Sequence, residues 1–147
     1  MTKEVIISIR GLQNGPETDG EPIEMIVAGE YFYKNNKHYI LYDEVMEGES
    51  QVTKNRIKIS DGQMELTKNG VVNVQMTFEE NVKHITQYNT PYGSLSMGID
   101  GKKVEIKESE HQIDIDVEYG MEMNQEFVAD CNISICVKSK GIKEFRL

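Results

Sequence analysis

Apolar side chains recur at every second residue along most of this chain. The runs are cut by turn dipeptides: Asn35-Asn36, Asp61-Gly62, Asn69-Gly70 and Asp100-Gly101. A period of two belongs to a strand with one buried face, whereas a helix needs a period of 3.6. No long window carries the helical period, so the fold class is all-β. The outer segments read as strands over 4–11, 23–34, 37–46 and 127–138, with a meander between them and about ten strands in total. Sequential antiparallel strands in that number close into a small up-and-down barrel, because closure removes exposed edges.

The turns predict a register. A two-residue turn at Asp61-Gly62 sets Ile59 opposite Met64, Lys58 opposite Glu65 and Ile57 opposite Leu66. A three-residue turn at Lys68-Asn69-Gly70 sets Leu66 opposite Val72 and Met64 opposite Val74. A turn at Asp100-Gly101 sets Met97 opposite Val104 and Leu95 opposite Ile106. A turn at Ser109-Glu110 sets Ile106 opposite Ile113, Val104 opposite Ile115 and Lys103 opposite Asp116, with Glu105 against Asp114 as an unfavourable like-charge pair. A slip of one residue in any of these turns an apolar face to water.

The chain has 147 residues, the size of one domain with one core, and residues 1–147 are read as a single barrel domain. The segment 13–22 reads as a surface loop within it. Sixteen Lys and Arg against 25 Asp and Glu give a net charge of −9. That balance argues against nucleic acid and against an anionic membrane surface, since both are bound mainly through cations. The basic residues Lys102, Lys103 and Lys107, and Lys138, Lys140, Lys143 and Arg146, are too few to reverse it. The N-terminal apolar run is too short for a signal peptide and no stretch reaches the ~20 apolar residues of a membrane helix, so a cytoplasmic location is expected. Cys131 and Cys136 sit five apart on one strand and face opposite sides, so both thiols are expected to be free.

His38, His84 and His111 fall on different strands, and no zinc spacing, nucleotide fingerprint or calcium loop is present. No metal or other cofactor is expected. One strand departs from the alternation: Lys83–Thr90 is polar on both faces, with His84, Thr86, Tyr88 and Thr90 sharing one of them. Turned inward, that face offers an imidazole, hydroxyls and a phenol to a ligand. Turned to a gap in the barrel, it merely discourages pairing. Pro91 and Gly93 end or bend the strand beside Tyr92. Met25, Met64, Met76 and Met97 form an adaptable inward set, and Tyr31, Tyr33, Tyr39 and Tyr42 stand where a pocket mouth would be.

The string Tyr88-x-Thr90-Pro91-Tyr92-Gly93-x-Leu95 closes the polar strand. Before it stand Gly29-x-Tyr31-Phe32, Tyr42-x-Glu44 and Met76-x-Phe78, and after it Asn132-x-x-Ile135. In these the chain resembles the uncharacterised bacterial YwiB-like family over nearly its whole length. The resemblance implies a calycin-like β-barrel, related in shape to lipocalins and fatty-acid-binding proteins, and no known activity. The chain has no Trp for the lipocalin Gly-x-Trp signature and no helical pair for a fatty-acid-binding lid, so ligand transport does not carry over.

The leading functional expectation is a non-enzymatic barrel that holds a small, partly apolar molecule, with His84, Thr86, Tyr88, Tyr92, Glu44 and Tyr42 as candidate ligand-binding residues. An alternative from another class is a barrel filled by its own side chains and acting as a protein-interaction module. A third is an enzyme using His84 as acid or base, oriented by Glu44 or Tyr88. The contents of the barrel separate the first two. No sequence feature bears on oligomeric state.

Overall fold

A computed structural model describes residues 1–12, 22–45 and 51–141. Residues 13–21 of the expected loop, Met46 of the expected third strand, and Lys143 and Arg146 lie outside the described residues. The described chain forms ten strands: β1 (Glu4–Leu12), β2 (Pro22–Lys34), β3 (Lys37–Val45), β4 (Val52–Ser60), β5 (Gln63–Asn69), β6 (Val74–Glu79), β7 (Lys83–Thr90), β8 (Gly93–Glu108), β9 (Gln112–Met123) and β10 (Glu126–Ser139). They make one antiparallel sheet in the order β6-β5-β4-β3-β2-β1-β10-β9-β8-β7. The first and last strands pair with each other, so the sheet rolls into a nearly closed barrel.

The seam lies between β6 and β7, where, among the described residues, only Asn73 and Asn89 exchange backbone hydrogen bonds across it, both 2.9 Å. The polar strand is therefore a seam strand. Its alternating pattern is real: His84, Thr86, Tyr88 and Thr90 are half-buried, and Ile85 and Gln87 between them are exposed. Among the described residues no helix is long and apolar enough to cross a membrane.

The Asp61-Gly62 register holds pair for pair. The three other expected registers are corrected. Leu66 faces Met76 and Met64 faces Phe78, because the connection runs on to Asn73. Asn73 closes it by accepting from the Gly70 N–H and donating to the Gly70 carbonyl, each at 3.2 Å. Val72, freed from the ladder, packs on the core. Likewise the β8–β9 connection extends to Gln112, whose carbonyl accepts from the Ser109 N–H at 2.8 Å. Ile106 then faces Ile115, Val104 faces Val117, Lys103 faces Glu118 and Glu105 faces Asp116. Both shifts are even, four residues and two, so every side chain keeps its face.

Asp100-Gly101 is no turn at all. It lies inside the 16-residue β8, at a bulge between Gly101 and Lys103. A Cβ on Gly101 would overlap the Glu79 carbonyl oxygen. There the β6–β7 turn docks: Asn81 N–H donates to the Gly101 carbonyl at 2.9 Å, and Gly101 N–H donates to the Val82 carbonyl at 3.0 Å. The turn before β8 is Pro91-Tyr92, with Thr90 paired to Gly93, whose φ of 135° is open only to glycine in practice. Met97 therefore faces Thr86 and Met123, and Leu95 faces Tyr88. Asn35 and Asn36, with φ of 54° and 62°, make the expected two-residue hairpin turn.

The barrel centre is filled. Val5, Ile7, Ile40, Ile57, Met64, Phe78, Ile99 and Val137 are each fully buried, and the Phe78 and Tyr119 rings meet edge to face at 5.0 Å. Cys131 is buried on the inner side and Cys136 lies on the outer, and no disulfide joins them. The two ends of the barrel differ. The lower end carries Met1, Lys140 and the turns at 35–36, 61–62 and 80–82, and inward side chains there such as Val5, Ile59 and Ile113 are buried. The upper end carries the connection 70–73 and the Pro91-Tyr92 turn. Its inward side chains Ile9, Met25, Val27, Met76, Tyr88, Met123 and Ile133 are only partly buried.

Candidate functional site

The expected site residues do not gather at one place. His84 sits at the lower end of β7, where its Nε2 lies 3.0 Å from Glu79 Oε1. Tyr92 is in the Pro91-Tyr92 turn at the opposite end and is 99% exposed. From His84 to Thr90 the strand climbs about 20 Å at ~3.3 Å per residue, so one small ligand does not touch both His84 and Tyr92. Thr86 and Tyr88 lie between them, facing inward, and Tyr88 packs on the core. Glu44 and Tyr42 are on β3 at the upper end, four strands away around the wall. Glu44 therefore does not orient His84; Glu79 occupies that place.

Around Glu44 the interior carries a polar network. Lys68 Nζ donates to Glu44 Oε1 at 3.0 Å and to Asn55 Oδ1 at 2.8 Å. Asn55 Nδ2 donates to Glu44 Oε1 and to the Thr53 carbonyl, each at 3.3 Å. These residues occupy inward positions of β3, β4 and β5, and Asn55 and Thr53 are buried. A buried amide and a half-buried ion pair persist only when their partners are in place, and here they satisfy one another. Burial, and then the Glu44 charge, pushes the neighbouring Tyr42 hydroxyl well above the ordinary phenol range, so Tyr42 is a neutral hydroxyl at any physiological pH.

The wall beside this network is open. β2 and β3 pair from Lys34↔Lys37 to Glu30↔Leu41, and beyond that their ladder ends among the described residues. The ladder ends beside Gly29, against which β3 still packs closely: a Cβ there would come within 2.5 Å of the Leu41 carbonyl oxygen and 2.6 Å of Ile7 Cδ1. The result is a cleft of about 670 Å³ lined by residues of β2, β3, β4 and β5, among them Ala28, Glu30, Tyr42, Asn55 and Arg56. Thr67 Oγ1 lines the same cleft region, buried and without a hydrogen-bond partner.

A second constellation lies at the lower end. Tyr31 Oη is 2.7 Å from His38 Nδ1, and His38 Nε2 is 2.8 Å from Glu108 Oε2. The chain ties β2 and β3 to β8 across the end of the barrel, with the Tyr33 ring tilted against His38 at a centroid distance of 5.0 Å. Burial first, then the charge of Glu108, raises the Tyr31 hydroxyl. Tyr39 points to the outer face instead. The sequence reading passed over Asn55, Lys68 and the His38–Glu108 pair. Asn55 and Lys68 had a signal: each stands at an apolar-parity position of its strand. Glu108 had none, because its partner comes from a strand five elements earlier. Among the described residues no group of three or more His, Cys, Asp or Glu is placed to hold a metal ion.

Comparison with known proteins agrees with this architecture. The chain is 29% identical over 112 residues to the uncharacterised beta-barrel protein YwiB of Bacillus subtilis (strain 168), covering 75% of this chain and 78% of that protein. The crystal structure of the ywiB protein from Bacillus subtilis superposes with a TM-score of 0.80 over 93% of this chain and 92% of the other, at 21% identity. The model of a domain of unknown function, DUF1934, matches residues 7–135. An all-β, nearly closed ten-stranded barrel that matches this model along most of its length is a member of the DUF1934 family.

Proposed function

We propose that the protein is a cytoplasmic binding protein, not an enzyme, and that it takes a small, partly apolar molecule bearing a hydrogen-bonding group. The observation that carries this reading is the end of the β2–β3 ladder at Glu30↔Leu41, beyond which lies a cleft of about 670 Å³ beside an inward polar network. A cleft of this size with convergent polar groups beside a few apolar ones supports a ligand site, and its lining is mainly polar and charged. Tyr42 and Asn55 supply the polar contacts, with Glu44 and Lys68 behind them. Leu41 and Ala28 supply the apolar ones. The ligand belongs in the wall cleft and not at the barrel axis, because the axis is occupied by Ile7, Ile57, Phe78 and their neighbours. Two cysteines with no disulfide between them suit a reducing compartment.

Titration with 1-anilinonaphthalene-8-sulfonate, an anionic aromatic probe, tests the reading. Wild type is expected to give saturable fluorescence enhancement. Ala28→Phe, an exposed position that fills the cleft without touching the core, is expected to abolish it. Equal enhancement in both proteins, or none in wild type, refutes the assignment.

A further inference from the structure

The direction of each backbone group at the cleft follows from the ladder. Tyr31 N–H donates to the Lys3 carbonyl at 2.7 Å, on the β1 side. Backbone groups alternate sides along a strand, so odd-numbered residues of β2 face β1. Glu24, Ile26 and Ala28 then point their N–H and C=O groups at the opening. On the other bank the last pair, Glu30↔Leu41, puts the backbone groups of Asp43 and Val45 in the same situation. Among the described residues none of these groups has a ladder partner. An edge of this kind is a template for another extended chain.

The side chains at the edge fit that occupant. Ile26 is 68% exposed on one bank, and Val45, paired with Val52, is 71% exposed on the other. The charges are unequal. Lys54 pairs with Asp43 at 3.3 Å and Arg56 with Glu65 at 3.8 Å. Glu30 stands opposite Glu4 and, among the described residues, has no cation within ion-pair distance.

We propose that the occupant of the cleft is an extended peptide segment, added as a strand along Glu24–Ala28, with apolar side chains on Ile26 and Val45 and a lysine or arginine at Glu30. The proposal rests on the reading of this cleft as the binding site and names its ligand class. Five residues of β2 offer about 13 Å of edge, enough for a segment of similar length. Main-chain bonds give strand addition its affinity and alternate side chains its selectivity. A second copy of the chain suits the edge less well, since each copy carries −9.

The test uses arrayed octapeptides with valine at alternate positions and each amino acid in turn at the centre, read by fluorescence anisotropy. Peptides with central lysine or arginine are expected to bind at least tenfold better than those with glutamate, and Glu30→Gln is expected to flatten that preference. Ile26→Pro removes an N–H that faces the opening and none that faces β1; with the melting temperature retained, it is expected to weaken binding at least tenfold. N-methylation of alternate peptide nitrogens is expected to do the same. Binding indifferent to both changes overturns strand addition. No peptide binding, with the anilinonaphthalene probe still held by wild type and lost in Ala28→Phe, overturns the peptide and leaves the cleft reading intact; loss of both signals removes both. A dimer that Ile26→Pro makes monomeric assigns the edge to a second copy and overturns the proposal.

Discussion

Replacing Gly101 by alanine tests how the seam is held. The glycine has ordinary backbone angles, so alanine adds no conformational strain there. It adds one methyl group, and that group meets the Glu79 backbone: it overlaps the carbonyl oxygen and stands 2.7 Å from the carbonyl carbon. Neither atom can rotate away, so the Glu80–Val82 turn must lift. Lifting it breaks the Asn81–Gly101 and Gly101–Val82 hydrogen bonds, each worth about 1 kcal/mol net. If the turn stays, overpacking costs about 1–3 kcal/mol instead. The expected loss is about 2–4 kcal/mol, or a melting temperature lower by on the order of 10 °C. Urea unfolding followed by far-UV circular dichroism measures it, with an unchanged m-value as the check on two-state behaviour. Gly120→Ala is the control. Gly120 is also buried, on the next strand, but its nearest neighbour would be the flexible Lys102 Cε at 3.5 Å, so less than ~1 kcal/mol is expected. A Gly101→Ala protein as stable as Gly120→Ala refutes the reasoning.

Phe78→Ala, at the fully buried centre opposite Met64, should cost about 3–5 kcal/mol in the same assay, and Lys58→Ala on the outer face under ~0.5 kcal/mol; the reverse order inverts the assignment of faces. Burial, with Asp114 second, pushes the Cys136 thiol up to about 11. At pH 8 about 0.1% of it is thiolate against about a quarter for an ordinary thiol, so iodoacetamide should modify it at least ~100-fold slower until urea is added; prompt native labelling contradicts this. Tyr42 and Tyr119 are both raised above the phenol value of 10.0, first by burial. Above pH 10 the unfolded chain binds fewer protons than the folded one, so stability is full below about 10 and falls as pH rises through it. A denaturation midpoint flat from pH 9 to 11 argues against burial of these hydroxyls. With −9 overall, the protein should elute from immobilised RNA at or below physiological salt; salt-sensitive micromolar binding reveals a basic patch not evident in the described residues.

Alternation carried the fold because it is a property of each strand alone. Ile57, Ile59, Met64 and Leu66 announce a buried face, and Asp61-Gly62 leaves one way to join them. At 68–73 and 109–112 alternation does not choose between shifts of zero, two or four, since all keep the faces. The choice falls to contacts such as the Asn73 clamp on Gly70, which no local pattern shows. Asp100-Gly101 misled for a related reason. A glycine after aspartate signals a turn when the glycine needs a positive φ, but Gly101 is small because another strand's backbone lies against it. At the cleft, Tyr42 and Glu44 were legible as polar tips on an inward parity. The opening itself was not, because it depends on where the β2–β3 ladder stops. His84 and Tyr88 share a face as expected, while the rise of β7 separates His84 from Tyr92.

Pairing β1 with β10 has a consequence for how the barrel assembles. Every other ladder joins strands that are consecutive in sequence, but this one joins residues such as Val5 and Ser139. Until β1 meets β10, the sheet consists of two meanders, β1–β6 and β7–β10, joined through the splayed β6–β7 junction. Long loop closure comes late and slows folding. The start of β1 and the end of β10 lie side by side, the Lys140 N–H donating to the Glu4 carbonyl at 2.9 Å. A circular permutant that joins these ends and opens at 80–82 would run through the sheet in spatial order, β7 to β10 and then β1 to β6. It would make every ladder local, give up the bonds that the 79–82 turn makes within itself and to Gly101 and Val104, and fold faster than the natural chain from the same ten strands.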